Sequence, residues 1–186
     1  MNNNLLNLEL KEQLIKLLKE VKCVEFGDFT LASGKKSDYY VNIKRATTNP
    51  KILKIVGKIV DNYITSNNLD KLDNLKIAGV ELGSVSIATA VSLESEKDLI
   101  IIRKKAKDYG TKSKIEGTLN KGDSVIILED VTTTGGSVLK AVEEIRANNA
   151  NVEKIFVIVD RNEGAITKLK ENNVELIPIV SVNDLK

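Results

Sequence analysis

The sequence predicts an α/β protein: a single open, mainly parallel sheet flanked by helices, with a small hood at its N-terminal end. Three observations carry that expectation. Short apolar segments (Leu75 to Val80, Leu99 to Ile102, Ser124 to Leu128, Ile155 to Val159 and Leu176 to Val180) alternate with stretches of helical periodicity, the pattern of parallel strands covered on both faces. With 186 residues, 42% of them apolar, the chain is long enough for one domain with a sizeable core and too short for two comfortable ones. Ahead of the alternation, two short segments surround a Gly-centred turn and read as a hairpin.

The elements follow in order. Leu10, Leu14, Leu17, Leu18 and Val21 recur at helical spacing between lysines and glutamates, so Leu8 to Val21 is a surface helix with one buried stripe. Phe26 to Leu31 and Asp38 to Ile43 are strands around Ser33-Gly34-Lys35-Lys36-Ser37. The N-terminal helix and the hairpin-like hood together occupy residues 1–45. Pro50 opens the next helix, because its missing N–H would be unsatisfied there anyway. Ile52, Ile55, Val56, Ile59, Val60 and Tyr63 form its apolar face. Further helices over Ser84 to Ser92, Gly136 to Asn148 and Ala165 to Asn172 separate the strands, and residues 50–186 form the α/β core. No internal repeat or linker interrupts this single domain. Ligands of such sheets bind beyond the carboxyl ends of the strands, so the informative loops are Glu81–Ser84, Arg103–Gly117, Glu129–Gly136 and Asp160–Gly164.

Composition removes whole chemistries. The chain has no histidine, which excludes Ser-His-Asp and Cys-His catalysis and His-bearing zinc sites. Cys23 is the only cysteine, so no intramolecular disulfide can form. Its apolar neighbours Val21 and Val24 mark it as a small buried filler, which suits a reducing cytoplasm. A net charge of +2, from 28 basic and 26 acidic residues, gives no chain-wide nucleic-acid or membrane character. The polar Met1-Asn2-Asn3-Asn4 start carries no signal core, and no apolar run approaches the roughly 18 residues that span a bilayer. A soluble, cytoplasmic protein is expected, without nucleic-acid or membrane partners.

The most specific string is Val125-Ile126-Ile127-Leu128-Glu129-Asp130-Val131-Thr132-Thr133-Thr134-Gly135-Gly136-Ser137. It reads as a buried strand, two carboxylates, a hydroxyl- and glycine-rich turn and a helix start. Glycines and free N–H groups at a helix N-terminus form a concave anion site, and Thr132, Thr133, Thr134 and Ser137 add hydroxyl donors for phosphate oxygens. Glu129 and Asp130 would repel a phosphate but suit the vicinal hydroxyls of a ribose. A 5-phosphorylated ribose satisfies both halves. A plain strand, turn and capped helix is the structural alternative. A Walker B strand is disfavoured because the chain lacks G-x-x-x-x-G-K-[ST].

A second feature is basic. Between Arg103 and Glu116 lie six cations (Arg103, Lys104, Lys105, Lys107, Lys112, Lys114) and two acids, Asp108 and Glu116. Gly110 and Gly117 would let the segment hinge. Mobile cations closing over a departing anion stabilise a transition state more than a ground state, and closure excludes water. A solvated basic loop, or one for nucleic acid, is the alternative. Tyr109 is its only aromatic, which gives poor support to a base-stacking platform.

On these residues the chain resembles the type I phosphoribosyltransferases. Val125–Ser137 is similar to their phosphoribosyl diphosphate signature, and the other motifs narrow the resemblance to the orotate phosphoribosyltransferases. Phe26-Gly27-Asp28-Phe29-Thr30-Leu31 and Ser33–Ser37 resemble that family's hood, Arg103–Thr111 its mobile catalytic loop, and Asp160-Arg161 its orotate contact. The resemblance implies transfer of a phosphoribosyl group from phosphoribosyl diphosphate to orotate, giving orotidine 5′-phosphate and diphosphate in de novo pyrimidine synthesis. It implies that Lys107, Glu129 and Asp130 act in catalysis and that Arg103, Lys104, Lys107, Tyr109 and Glu129 to Ser137 bind phosphoribosyl diphosphate. The resemblance further implies that Thr133 and Arg161 bind orotate. Tyr40 either lies against the pyrimidine ring or is a core tyrosine, and Arg161 without a ligand would pair with Asp160 or Glu163. Magnesium is the expected cofactor, held mostly by diphosphate oxygens and water, with no metal-ligating residues assigned in the chain. A homodimer is implied, with Lys104 reaching into the neighbouring subunit's site. Three positions depart from the family pattern: Tyr109 where bacterial members often have histidine, Ala32 in place of a hood lysine, and the lysine-free turn Glu81–Ser84. A phosphoribosyltransferase for another base, or a non-catalytic regulator of the same fold, are the alternative readings.

Overall fold

The computed structural model describes residues 7–30, 36–105 and 113–186. The chain begins with α1 (Leu8–Glu20), whose first turn is capped by the Asn7 side chain accepting from the Leu10 N–H at 3.2 Å. Leu14 and Leu18 are its fully buried positions. Two strands, β1 (Val24–Thr30) and β2 (Lys36–Val41), pair antiparallel as a separate two-stranded hood with a bulge between Phe26 and Phe29. A four-residue helix α2 (Lys44–Thr47) leads into α3 (Pro50–Ser66). Pro50 stands at the first turn, and the Asn49 carboxamide accepts from the N–H groups of Lys51 and Ile52, so two donors that the helix itself cannot satisfy find a partner.

The main sheet has six strands: β3 (Leu75–Val80), β4 (Asp98–Ile102), β5 (Ile115–Glu116), β6 (Ser124–Thr132), β7 (Asn151–Asp160) and β8 (Leu176–Ser181), in the order β5-β4-β3-β6-β7-β8. All neighbours are parallel except β5, which pairs antiparallel on β4. Helices α4 (Val85–Ser95), α5 (Gly136–Ala147) and α6 (Ala165–Glu171) complete the fold. The sheet therefore buries two faces. Ile77, Ile126, Leu128 and Phe156 pack toward α1, α3 and α4, with Tyr63 meeting the Phe156 ring edge-on at 5.0 Å. Ile100, Val125, Ile127 and Val157 pack toward α5 and α6. Successive strand residues point to opposite faces, which is why Val125 to Leu128 must be apolar at every position. Cys23 is fully buried, and burial pushes its thiol up to about 11.

The architecture is the one expected, with strand limits that differ: β7 begins at Asn151, four residues before the expected Ile155, and both hood strands begin two residues earlier than expected. The strand that sequence ends at Leu128 continues through Glu129, Asp130 and Val131 to Thr132, held extended by the pairs Glu129–Val157, Val131–Val159 and Thr132–Asp160 with β7. The two-residue β5 lies inside the segment read as a basic loop. Among the described residues, no helix is long and apolar enough to cross a membrane.

Candidate functional site

The site lies at the carboxyl ends of β3, β4, β6 and β7, where the sheet's side chains change from aliphatic to polar. At the end of β6, Glu129 is buried and Asp130 is partly buried. The Glu129 Oε1 accepts from the Asp130 N–H at 3.0 Å, and the Asp130 Oδ1 accepts from the Val131 N–H at 2.8 Å. Burial, followed by the adjacent Asp130 charge, pushes the Glu129 carboxyl up to about 8. A carboxyl raised this far can donate to sugar hydroxyls as well as accept from them.

The turn after β6 delivers the chain to α5. Gly135 has φ +75°, and a Cβ there would lie 3.3 Å from the Ala165 backbone. Glycine meets both demands. The N–H groups at the start of this twelve-residue helix face the turn, with Thr134 and Ser137 exposed beside them and Thr133 half-buried. The Lys168 ammonium of α6 approaches Gly136, the first residue of α5. Thr132 corrects the expectation that all three threonines face phosphate. It is 3% exposed, and its hydroxyl donates to the buried Asp160 Oδ1 at 2.9 Å. Thr132 thus locks β6 to β7, leaving Thr133, Thr134 and Ser137 as the hydroxyls of the turn.

On the other side of β6, the turn after β3 carries Gly83 against Asp130. A side chain at position 83 would collide with that carboxylate. Glu81 in the same turn accepts from the Lys104 N–H at 2.9 Å, and its own N–H donates to the Ile102 carbonyl. The ends of the basic segment are thus anchored. The Arg103 N–H donates to the Lys114 carbonyl, the Arg103 guanidinium pairs with Glu116 at 3.3 Å, and Lys114 pairs with Glu144 of α5 at 3.1 Å. Arg103, Lys104, Lys114, Lys140 and Lys168 line a cleft of about 650 Å³ with Gly136, Ser137, Glu143 and Glu144. Lys107 and Tyr109, two of the expected contacts, lie outside the described residues, as does Ala32.

The end of β7 supplies Arg161. Its N–H donates to the Thr132 carbonyl at 3.0 Å, which ties it to the hydroxyl- and glycine-rich turn after β6. Its Nε donates to the Tyr39 hydroxyl at 3.1 Å, its guanidinium carbon lies 4.9 Å from the Tyr39 ring centre, and its Nη2 pairs with Glu163 at 3.0 Å. Of the two acids that could pair with Arg161, Glu163 does so, and Asp160 is engaged by Thr132. A cleft of about 620 Å³ opens here between hood and sheet, lined by Asp28, Phe29, Lys36, Ser37, Asp38, Tyr39, Arg161 and Glu163. Tyr39, not Tyr40, is the hood tyrosine on this cleft. Tyr40 is 46% exposed with its ring 5.8 Å from that of Phe29. Neighbouring strand residues face opposite ways, so choosing between two adjacent tyrosines requires the hairpin's register, which composition does not reveal.

A strand-end acid pair beside a glycine- and hydroxyl-rich helix start, on an open parallel sheet, defines an α/β protein built for a phosphorylated sugar. Comparison with known proteins agrees. The phosphoribosyl transferase domain family matches residues 42–183. The orotate phosphoribosyltransferase of Methanococcus maripaludis is 69% identical over 178 residues, covering 96% of this chain and 95% of that protein. That of Methanocaldococcus jannaschii is 62% identical, covering 96% of this chain and 98% of that protein. Among solved structures, an orotate phosphoribosyltransferase of Mycobacterium tuberculosis superposes with a TM-score of 0.81 at 29% identity, covering 95% of this chain and 98% of that one. A structure of the M. tuberculosis enzyme in complex with 5-phospho-α-D-ribosyl 1-diphosphate superposes with a TM-score of 0.76 at 25% identity and the same coverage. The chain belongs to the phosphoribosyltransferase family, among its orotate phosphoribosyltransferases.

Proposed function

We propose that this chain transfers the phosphoribosyl group of 5-phosphoribosyl 1-diphosphate to orotate, releasing diphosphate and forming orotidine 5′-phosphate in pyrimidine biosynthesis. One observation carries the reading: the Arg161 N–H bonded to the Thr132 carbonyl at 3.0 Å. It joins a cation suited to a carboxylate, at the end of β7, to the turn suited to a phosphorylated ribose, at the end of β6. Two half-sites for one nucleotide product thus sit on adjacent strands.

In this reading the N–H groups of the α5 start, with Thr133, Thr134 and Ser137, hold the 5-phosphate. Asp130 and the protonated Glu129 take the ribose hydroxyls. Arg161 grips the carboxylate of orotate, with Thr133 beside it, so that the ring nitrogen N1 faces C1 of the ribose. Bond formation at C1 and loss of diphosphate pass through an oxocarbenium-like state. Charge grows on the leaving group, and Arg103 and Lys104 at the rim, joined by Lys107 in the role the family resemblance gives it, stabilise it where it develops. Magnesium, held mostly by diphosphate oxygens and water with no protein ligand assigned, would neutralise charge on the leaving group. Lys104 is exposed, with its backbone anchored to Glu81, and Leu82 and Leu93 are 78% and 76% exposed. These features support a homodimer in which Lys104 serves the neighbouring site. The cytoplasm is the proposed location.

The test is formation of orotidine 5′-phosphate by the purified protein from both substrates, with and without magnesium. Product that requires magnesium supports the reading. No product with magnesium, or preference for uracil or a purine, overturns it.

A further inference from the structure

Arg161 is held from two sides by groups outside the phosphoribosyl signature. The Tyr39 hydroxyl accepts from Nε at 3.1 Å, and Glu163 pairs with Nη2 at 3.0 Å. The guanidinium is 13% exposed and the Glu163 side chain 33% exposed, so Arg161 sits mostly out of water while its acidic partner stands at the mouth of the cleft. A two-pronged grip on a carboxylate needs either the Nε and Nη2 edge or the Nη1 and Nη2 edge. Tyr39 commits Nε, which leaves the second edge, and Nη2 on that edge is the atom Glu163 engages. A substrate carboxylate on that edge would stand beside the Glu163 carboxylate on the same nitrogen, and the repulsion of the two like charges makes them compete for the guanidinium.

We propose that Glu163 is a built-in stand-in for the substrate's carboxylate, paired with Arg161 until a carboxylate-bearing base displaces it, while Tyr39 keeps the guanidinium aimed throughout the exchange. The proposal rests on the orotate reading and adds to it a placeholder that keeps Arg161 paired between ligands. A base without a carboxylate has no group that can take the place of Glu163, so it gains nothing from Arg161. A carboxylate-bearing base gains the grip minus the pair it displaces. Glu163 thus lowers affinity for the intended ligand and spares a largely buried guanidinium from being left unpaired when product leaves. Tyr39 is a positioning residue: its ring lies against the guanidinium, with the carbon 4.9 Å from its centre, and its hydroxyl fixes the rotation of the fork.

The test compares two nucleotides that differ only by the carboxylate, orotidine 5′-phosphate and uridine 5′-phosphate, by calorimetric titration of the full-length protein. Glu163→Gln keeps the shape and removes the charge. It should tighten orotidine 5′-phosphate about two- to five-fold, as expected for losing a partly exposed competing ion pair, and leave uridine 5′-phosphate unchanged. Tyr39→Phe should weaken the first about five-fold and spare the second, the effect of one net hydrogen bond. Arg161→Ala is the control and should bring the two affinities together. If Arg161→Ala does so while Glu163→Gln leaves orotidine 5′-phosphate unchanged, the stand-in role is wrong and the orotate site survives. Should Arg161→Ala keep the preference for the carboxylate, the base site itself is misassigned and the proposal falls with it.

Discussion

Gly83 and Asp130 are packed so closely that a single carbon added to the glycine would collide with the aspartate carboxylate. The turn after β3 and the end of β6 therefore share one constraint: Asp130 keeps its place only while position 83 has no side chain. Gly83→Ala should displace Asp130 and weaken phosphoribosyl diphosphate binding about as much as Asp130→Asn does, with a small change in melting temperature. Two variants acting through one carboxylate should not add. A double-mutant cycle on substrate affinity checks this, and full additivity would separate the two residues.

The threonines divide by burial. Thr132 gives its hydroxyl to Asp160 inside the sheet, so Thr132→Val leaves a buried carboxylate oxygen without its partner. The cost should be about 1–3 kcal/mol of folding stability. Thr134→Val, on an exposed position of the turn, should leave stability within roughly 0.5 kcal/mol and raise the phosphoribosyl diphosphate requirement. Denaturant titrations beside substrate-affinity measurements distinguish the two. The opposite pattern would return Thr132 to the phosphate site.

Much of this was legible in the sequence, and what was hidden was hidden for physical reasons. Val125 to Leu128 announce a doubly covered strand because every position is apolar. Glu129 to Thr132 continue the same strand, yet two acids and a threonine look like loop, and only their pairing with Val157, Val159 and Asp160 keeps them extended. The two-residue β5 offers too few residues for any period to show. Arg161 could be placed at a strand end from sequence, whereas its partner Tyr39 lies 122 residues away and is told from Tyr40 only by register. The hydroxyl- and glycine-rich turn was readable because its chemistry is local.

The raised Glu129 carboxyl makes stability depend on pH. Burial and Asp130 push it up to about 8 from an ordinary value near 4.5, so between these limits the folded chain holds a proton that the unfolded chain has released. Stability from this group is fully present below about pH 4.5 and is lost as pH rises through about 8. Glu129→Gln cannot lose that proton. Its melting temperature should gain on the parent's as pH rises from 5 to 9, and the gap should level off above about pH 8.5. Parallel curves across the range would show that Glu129 is already ionised at neutral pH.

The loop prediction joins charge to assembly. Lys107→Ala should lower turnover strongly and ground-state binding mildly, because the cation acts on charge that develops during the reaction. Lys104 should act across the subunit boundary, from a backbone anchored to Glu81 at 2.9 Å. Chains inactivated by Lys104→Ala keep a complete pocket, and chains inactivated by Asp130→Asn keep a complete loop. When the two are mixed and allowed to exchange, half of the dimers should be mixed, each with one intact site, so activity should return to about a quarter of the parent's. Mass spectrometry of the intact dimers verifies exchange. If mixed dimers form and activity stays absent, each loop serves its own subunit, and dimerisation needs a reason other than a shared site.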